Sequence, residues 1–380
     1  MMKWKNVQWQ DVLTIKNGKD QKKVVNPNGQ YPIYGSGGVM GYADDFLCPE
    51  GTTVIGRKGS INNPIYVTEK FWNVDTAFGL CPREDLNGKF LYYYCTTYNF
   101  LRHNKATTLP SLTKVDLLKI EIPLPPLNEQ KRIAAILDAA DALRQKDKAL
   151  IAKYDELTQA LFLDMFGDPV SNPKGWEKVK LKEVGSVKIG PFGSLLHKED
   201  YVADGIPLVN PSHIISGKIV IDTKLTVSHD KIKELKSYCM KVGDVIVGRR
   251  GEIGRCAVVS KKENGYLCGT GSVFIRPADK LNSLFLQNII SANSIRKVLE
   301  NSAKGITMKN LNSTILEELV IPLPNLSLQK KFVLGISLIE QQKLIAQRSL
   351  EKSEQLFNSL LQKAFKGELS LKDQKELIPA

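Results

Sequence analysis

The feature that most constrains the fold is a duplication that runs along nearly the whole chain. The segment IPLPPLNEQKR begins at Ile122, and its near-copy IPLPNLSLQKK begins at Ile321, an offset of 199 residues. Leu112 and Leu311 keep the same offset, so this part of the repeat continues without a gap from about residue 112 to 166. A repeat of this period is a whole domain plus a connector, which excludes a solenoid of short units.

Upstream of this ungapped part, the two copies match more loosely. Trp4 corresponds to Trp176 at an offset of 172, and Pro32 corresponds to Pro207 at an offset of 175. Because the offset grows along the chain, the second copy carries insertions. Each copy therefore combines a globular part of variable length with a segment of fixed length.

The fixed segments predict two long helices. Asn128 and Ser327 are good N-cap residues just after the proline-rich stretches, and Gly167 and Gly367 stand where a glycine commonly ends a helix. No proline interrupts either segment. At 1.5 Å per residue, about 38 residues span roughly 57 Å, which is longer than a small domain is wide. The segments therefore predict spacers.

Both predicted helices carry apolar residues at alternating steps of three and four, as in a coiled-coil seam. In the first helix the seam is Ile136, Ala140, Leu143, Leu150, Tyr154, Leu157 and Leu161, interrupted by Asp147. In the second it is Ile336, Ile339, Ala346, Leu350, Phe357, Leu360 and Ala364, with Lys343 and Ser353 intervening. If the seams pair, chain connectivity makes the helices antiparallel, with one globular domain at each end. Two independent long helices are the alternative.

The globular parts predict a mixed fold with a strand-rich core. TTVIGRKG, NPIYVTEKF, CMKVGDVIVGRRG and RCAVVSKK indicate short strands, whereas KFLYYYCTTYNFLRH and SLFLQNIISANSIRKVLEN indicate helices. The predicted fold class is α+β, with two pseudo-repeated α/β domains separated by two long antiparallel coiled-coil helices. The predicted bounds are 1–126 for the first domain, 127–167 for the first helix, 168–325 for the second domain, and 326–380 for the second helix and tail.

The charge of the chain predicts a polyanionic partner. The formal net charge is +13, and residues 1–126 hold 15 Lys and Arg against 11 Asp and Glu, while residues 167–325 hold 23 against 16. No apolar run reaches the ~18 residues of a membrane span, and the first residues lack a signal-peptide core. We therefore expect a cytoplasmic protein without membrane contact. Six cysteines without a CxxC pair and four histidines predict no metal site.

A glycine-bracketed basic turn occurs once in each copy. VIGRKGSI at residues 54–61 places Arg57 and Lys58 between glycines, and IVGRRGEI at residues 246–253 does the same for Arg249 and Arg250. Arginine can donate two hydrogen bonds to guanine, and either cation neutralises phosphate. An ordinary solvated hairpin is the alternative for each single copy, but the recurrence favours DNA contact.

Two further loops extend the predicted DNA-binding site. HNKATTLPSL has its counterpart in NSAKGITMKNL, and such polar loops suit phosphate contacts. YPIYGSGGVMGY is rich in glycine but matches neither GxxxxGK[ST] nor GxGxxG, so we expect a flexible loop near DNA or a plain turn rather than a nucleotide site. The predicted DNA contacts are Tyr34, Ser36, Arg57, Lys58, Ser60, Lys105, Thr107, Arg249, Arg250, Lys304, Thr307 and Lys309.

No catalytic residue is predicted. NPNG, NPSH and GDPV lack the second proline and the aromatic residue of the DNA amino-methyltransferase motif, and no Ser/His/Asp set or helical HExxH is present. Acidic-x-Lys triplets at Asp222 and Glu234 leave a nuclease open as an alternative, although such triplets arise by chance in a lysine-rich chain. A helical scaffold whose basic ends bind other proteins is a further alternative.

The organisation of the repeat resembles the specificity (S) subunits of type I restriction–modification systems. The resemblance lies in LPSLTKVDLLKIEIPLPPLNEQKRIAAILD at residues 109–138, its echo at residues 306–332, and YPIYGSGGVMGY. The second copy departs from the pattern, since Leu328 replaces the equivalent of Glu129 and Gly335 stands in the place of Ile136.

This resemblance implies a DNA-recognition subunit without catalytic residues. Its globular domains would be target-recognition domains, each reading one half of a split site in double-stranded DNA. The helices would set the spacing between the half-sites and dock two methylation subunits, and restriction subunits can join such an assembly. The chain itself would bind no cofactor, whereas the partner subunits would use S-adenosylmethionine, ATP and Mg²⁺.

Overall fold

The computed structural model describes residues 4–221, 223, 226–303 and 310–369. The chain divides into two compact units. Unit 1 comprises the residues up to Ile151 together with the described residues from Ile345 onward, and unit 2 comprises Ala152–Leu344. Both divisions fall inside long helices, so each unit contains a segment of both.

Unit 1 is built from short strands and three short helices that precede the first long helix. Its strands are β1 (Lys5–Gln8), β2 (Leu13–Asn17), β3 (Tyr31–Gly35), β4 (Gly38–Ala43), β5 (Thr52–Gly56), β6 (Ile65–Val67), β7 (Trp72–Asn73), β8 (Ala77–Pro82) and β9 (Glu121–Leu124). Its helices are α1 (Trp9–Val12), α2 (Gly88–Thr97), α3 (Lys114–Leu118) and the first part of α4 (Leu127–Phe166). The strands form an antiparallel sheet in the order β2-β8-β5-β6, a smaller sheet β4-β3-β7 and the pair β1-β9.

Unit 2 repeats this plan with additional strands. Its strands are β10 (Lys178–Lys180), β11 (Gly185–Ile189), β12 (Tyr201–Val202), β13 (Ile206–Val209), β14 (Ile214–Ile215), β15 (Lys218–Ile219), β16 (Thr226–Val227), β17 (Val245–Gly248), β18 (Cys256–Val258), β19 (Leu267–Cys268), β20 (Ser272–Pro277) and β21 (Val320–Pro322). Its helices are the end of α4, α5 (Leu181–Val184), α6 (His229–Glu234), α7 (Ser283–Ser291), α8 (Asn293–Ser302), α9 (Ser313–Glu317) and the start of α10 (Leu326–Lys366).

The sheets of unit 2 correspond to those of unit 1. The order β11-β20-β17-β18 matches β2-β8-β5-β6, and the order β12-β16-β13-β19 contains the parallel pair β13-β19 that matches β3-β7. The predicted α+β class and the pseudo-repeat are confirmed. The insertions inferred from the growing offset include the hairpin β14-β15 and the strand β12, which pairs with β16. Strand β16 pairs with β13 as β4 pairs with β3.

Each unit buries its own hydrophobic core between the four-stranded sheet and its helices. In unit 1, Trp9, Ile55 and Phe90 are fully buried, together with residues from both long helices. In unit 2, Phe285 and Val247 occupy the corresponding region. Because the long helices contribute to each core, the sheet and helix segments are fixed to one another within each unit.

The long helices end as the sequence predicts but begin earlier. Gly167 and Gly367 follow the last residue of α4 and of α10, with φ angles of 76° and 72° that favour glycine. The predicted N-caps are wrong. Asn128 and Ser327 lie inside the first turns, and Asn325 caps α10 by accepting a hydrogen bond of 2.9 Å from the backbone N–H of Leu328. The proline stretches permit this earlier start because proline is tolerated at the beginning of a helix.

Within unit 1, the segments of α4 and α10 pair antiparallel. The guanidinium of Arg144 lies 4.3 Å from the ring centroid of Phe357, and the carboxylate of Asp147 accepts a hydrogen bond of 2.8 Å from Ser353 Oγ. As the residue number rises along α4 it falls along α10, which is the antiparallel direction that the sequence predicts.

Within unit 2, the helix segments also pair antiparallel. Lys343 and Asp155 form an ion pair, and the aromatic rings of Phe162 and Phe332 pack edge to face at 5.5 Å. A Cβ atom at Gly335 would lie only 2.8 Å from the side chain of Leu161. The glycine that departs from the repeat therefore allows the two helices to approach closely.

The predicted seam of α4 is partly wrong. The side chains of Leu143, Leu150 and Leu157 are 43%, 41% and 48% exposed, although the spacing placed them in the seam. Arg144 instead lies in the seam, over the ring of Phe357, and Asp147, which interrupts the predicted seam, accepts a hydrogen bond from Ser353. Hydrophobicity alone favours the leucines, but Arg144 and Asp147 tolerate half-burial because each has a partner on α10. On α10, the predicted positions Ile336, Ala346, Phe357, Leu360 and Ala364 are buried as expected.

A buried glutamine joins α4 to the globular part of unit 1. The side chain of Gln130 donates hydrogen bonds of 2.9 Å to the carbonyls of Asp85 and Pro125 and accepts one of 2.8 Å from the N–H of Asn87. Asn87 is the N-cap of α2. One fully buried amide therefore connects the proline-rich stretch, the start of α2 and the long helix.

Gln329 makes the same three bonds in unit 2. Its amide donates to the carbonyls of Lys280 (3.0 Å) and Pro324 (2.8 Å) and accepts from the N–H of Asn282 (2.8 Å), the N-cap of α7. The glutamine that both copies keep is thus a junction residue, a role that spacing alone does not reveal.

Candidate nucleic-acid interface

The basic turn of unit 1 is held against the loop that precedes α3. After β5 ends at Gly56, the carbonyl of Arg57 accepts a hydrogen bond of 2.9 Å from the N–H of Leu112. The N–H of Gly59 donates to the carbonyl of Pro110 at 3.0 Å, and a φ of 78° explains why glycine stands there. The turn is therefore a bonded part of the fold, and it places the exposed Lys58 side chain at the surface.

Unit 2 reproduces this arrangement. The carbonyl of Arg249 accepts a hydrogen bond of 2.9 Å from the N–H of Leu311, and Arg250 bridges to Asn310 as Lys58 bridges to Ser111. Gly251 has a φ of 75°. The equivalence of the two basic turns is therefore confirmed in the backbone, including their contact with the fixed part of the repeat.

A third loop, which the sequence did not indicate, also contacts each basic turn. The N–H of Arg57 donates to the carbonyl of Thr76 at 2.8 Å, and the N–H of Arg249 donates to the carbonyl of Gly271 at 3.1 Å. These loops lead into β8 and β20. Their sequences, VDTAFG and GTGSVF, share too little to be aligned by eye, so strand pairing was needed to find them.

The glycine-rich hairpin lies against the same turn in unit 1. A Cβ atom at Gly56 would lie 3.1 Å from Ser36 Cβ and 2.5 Å from the carbonyl oxygen of Ser60, so the hairpin tip and the turn meet at this glycine. Tyr34 packs edge-on against Phe71 at 5.3 Å, and burial raises the pKa of its phenol. Ser60 is exposed beside the turn, whereas Ser36 and Tyr34 are half-buried.

In unit 2 a proline turn occupies the place of this hairpin tip. Cβ atoms at Gly248 and Gly271 would lie 3.2 Å and 2.9 Å from ring atoms of Pro211. We call the converging loops the loop rim of each unit. The loop rim of unit 1 comprises residues 34–38, 56–60, 74–77 and 104–112. The loop rim of unit 2 comprises residues 209–213, 248–251, 269–272 and 310–311.

The first cation of the basic turn differs between the units. Arg57 is half-exposed, lies 5.9 Å from the ring centroid of Phe78, and donates a hydrogen bond of 3.3 Å to the carbonyl of Asp75. Arg249 is only 8% exposed, and its Nε donates to Asn310 Oδ1 and to the carbonyl of Leu311, both at 3.0 Å.

The guanidinium of Arg249 is therefore used mainly for hydrogen bonds within the protein. Burial, assisted by the neighbouring Arg250, lowers the pKa of its guanidinium. Arg250 itself is exposed and carries the cation that unit 2 presents at this turn.

Among the remaining predicted contacts, Lys105 and Thr107 are exposed on the loop rim of unit 1. Lys105 Nζ lies 2.7 Å from Asp116 Oδ2, and this contact lowers the pKa of Asp116. Lys304, Thr307 and Lys309 lie outside the described residues. The assignment of all these residues to DNA contact stays a prediction.

The alternative enzymatic reading gains no support from the described residues. Glu234 is an exposed residue of α6 that pairs with Lys231, and Asp222 lies outside the described part of the chain. Among the described residues, no group of three or more His, Cys, Asp or Glu side chains could hold a metal ion. Within the same ranges, no helix is long and apolar enough to cross a membrane.

Comparison with known proteins gives a consistent family. The profile of the type I restriction modification DNA specificity domain matches residues 1–153 and 173–355. The MjaVIII type I restriction enzyme specificity subunit of Methanocaldococcus jannaschii is 23% identical over 344 residues, which cover 85% of this chain and 77% of that protein.

Two solved structures share the fold. The S subunit of a type I restriction–modification system from M. genitalium has a TM-score of 0.59 at 18% identity, covering 95% of this chain and 96% of that one. A chain from a structural study of complex assembly and conformational transition in a type I system also has a TM-score of 0.59, at 19% identity, with coverage of 97% and 99%. The resemblance inferred from the repeat is confirmed, because the family profile covers both copies. The chain belongs to the family of type I restriction–modification DNA specificity proteins.

Proposed function

We propose that the chain is the non-catalytic DNA-recognition subunit of a type I restriction–modification system, and that each unit reads one half of a bipartite target in double-stranded DNA. The observation that carries this proposal is the loop rim. It occurs once in each unit, with the same backbone hydrogen bonds around a basic turn.

The loop rims have the chemistry that duplex DNA requires. Lys58 and Arg250 are exposed at equivalent positions, where they can neutralise phosphate or contact base edges in the major groove. Hydroxyl groups of Ser36, Ser60 and Thr107 lie in the same loops and can donate to phosphate oxygens. The surrounding loops differ in sequence between the units, which suits two different half-sites.

We further propose that α4 and α10 set the spacing of the half-sites and dock two methylation subunits, which restriction subunits can join. The antiparallel pairing within each unit supports a stiff connector. The exposed leucines of α4 offer apolar area for protein contact. In this assembly, S-adenosylmethionine, ATP and Mg²⁺ belong to the partner subunits, and the complex works in the cytoplasm.

The proposal is tested with the chain reconstituted with its methylation subunits. Lys58→Ala and Arg250→Ala should each weaken DNA binding. Each should also reduce the slope of log Kd against the logarithm of salt concentration by about one, the contribution of one phosphate contact. Mapping of methylated sites should show relaxed choice in one half of the target for Lys58→Ala and in the other half for Arg250→Ala.

Lys5→Ala, which removes an exposed cation from β1 outside the loop rims, is the matched control and should leave the target unchanged. If both test variants altered the same half-site, or if neither changed affinity or choice, the assignment of one half-site to each unit would be wrong.

A further inference from the structure

A bulged residue on the glycine-rich hairpin of unit 1 exposes a large apolar side chain. Strands β3 and β4 pair Ile33 with Gly41 and Tyr34 with Val39, so Met40 has no partner on β3. The residue is 65% exposed. A bulge redirects a side chain from the regular alternation of a strand, and bulges are frequent beside functional sites.

The local glycines permit this arrangement. A Cβ atom at Gly35 would lie 2.6 Å from Met40 Sδ, so the thioether rests over a position where a larger residue would displace it. Gly38 has a φ of 119°, and Cβ atoms at Gly37 or Gly38 would meet no atom within 4 Å. The glycines at the tip therefore leave open space around the hairpin.

Met40 lies beside the loop rim and is linked to it by a short chain of contacts. Its sulfur lies against Gly35, the next residue is Ser36, and Ser36 lies against Gly56 at the start of the basic turn. Met40 is thus part of the hairpin that meets, through Ser36, the turn carrying the exposed Lys58. A ligand that combines negative charge with a small apolar group would be complementary to this surface.

We infer that Met40 is a specificity-determining residue that contacts the 5-methyl group of a thymine in the half-site read by unit 1. Duplex DNA supplies both components, because phosphates surround the groove and the thymine methyl group is the one apolar group that a base pair displays in the major groove. Methionine suits this contact since its flexible, polarizable side chain adapts to an irregular surface. The inference rests on the proposed DNA-recognition function.

The test replaces each thymine of the unit 1 half-site, one at a time, with deoxyuridine, which lacks only the methyl group. In the reconstituted complex, wild-type protein should bind about four-fold more weakly at one such position, the value for burial of one apolar carbon. Met40→Ala should bind the unmodified duplex about four-fold more weakly and should lose its sensitivity to deoxyuridine at that position. Met40→Leu should retain part of the sensitivity.

Val25→Ala is the matched control, because Val25 is also exposed but bridges to Ala43 at the opposite end of the hairpin. It should retain the wild-type response. The inference is overturned if no thymine is sensitive, or if Met40→Ala keeps the full deoxyuridine penalty. If Lys58→Ala weakens binding while the Met40 variants behave as wild type, this inference alone fails. If Lys58→Ala has no effect either, the proposed function fails.

Discussion

The loop rims of the two units share a backbone frame but use their first basic residue differently. In both units, the basic turn forms hydrogen bonds with the fixed part of the repeat and with the loop that leads into β8 or β20. Arg57 remains half-exposed in unit 1, whereas Arg249 turns inward and bonds to Asn310 and Leu311. The two copies therefore share the backbone hydrogen bonds of the basic turn more closely than the side chains that the turn exposes.

This difference separates two roles that look identical in the sequence. A buried guanidinium with good partners organises its own fold, and its removal leaves acceptors unpaired. An exposed cation contributes little to stability and is free to bind a phosphate. In unit 2 the basic turn therefore contains a structural arginine, Arg249, and an exposed one, Arg250. In unit 1 both cations, Arg57 and Lys58, are accessible to solvent.

The largest expected loss of stability comes from changing the buried glutamine junction, which the two units share most closely. Gln130→Ala and Gln329→Ala should each lower the free energy of unfolding by about 3 kcal/mol, since each leaves a buried N–H and two carbonyls without a partner. Urea denaturation measures this. Gln145→Ala and Gln341→Ala, at exposed sites on the same helices, should cost less than ~0.5 kcal/mol. A marked inequality between the two buried variants would contradict the equivalence of the junctions.

An intermediate loss of stability should distinguish Arg249 from Arg57. Arg249→Ala should destabilise the protein by about 2 kcal/mol, because it removes the two hydrogen bonds that the buried guanidinium donates to Asn310 and Leu311. Arg57→Ala should change stability by less than ~0.5 kcal/mol and act mainly on DNA affinity.

Thermal unfolding and DNA binding of both variants, measured side by side, decide the question. Hydrogen exchange of the segment that begins at Asn310 should increase in Arg249→Ala only. Equal loss of stability in both variants would show that the two side chains have the same role after all.

The smallest effect concerns Lys105 on the loop rim of unit 1, whose exposed side chain pairs with the half-buried Asp116 of α3. Asp116→Asn removes a negative charge next to the proposed DNA-binding surface and releases the lysine, so the non-specific affinity for DNA should rise by about two- to five-fold at low salt. Fluorescence anisotropy with random-sequence duplex measures this change.

Glu84→Gln, which neutralises an exposed carboxylate after the opposite end of β8, is its control and should change affinity less. Weaker binding by Asp116→Asn would indicate that the ion pair positions Lys105 instead of restraining it.

The sequence predicts the parts of the fold that repeat or that follow a simple period. The duplicated proline-rich segments, the terminal glycines and the heptad spacing of α10 all lead to the observed elements. The α4 seam could not be predicted by hydrophobicity, because Arg144 and Asp147 are accommodated by Phe357 and Ser353 on a helix about 200 residues away in the chain. Long-range partners decide such positions.

The candidate site could also be predicted only in part. The basic turns and the loops before α3 and α9 could be assigned to one site because each occurs once in both copies of the repeat. It did not separate the inward Arg249 from the exposed Arg250, which depends on the partner at Asn310. The loops at Thr76 and Gly271 carry no recognisable motif, since they contribute backbone carbonyls, and any residue can supply a carbonyl.

If the long helices space the half-sites as proposed, the polar pairs between them bear on the length of the target. A slip of seven residues would move one helix by about 10 Å past the other, which is roughly three base-pair steps of B-DNA. An all-leucine contact would tolerate that slip, whereas Asp147 with Ser353 in unit 1 and Asp155 with Lys343 in unit 2 would lose their partners. These few polar atoms oppose a slip of one helix past the other, and under the proposed function they would keep the number of unread bases between the half-sites constant.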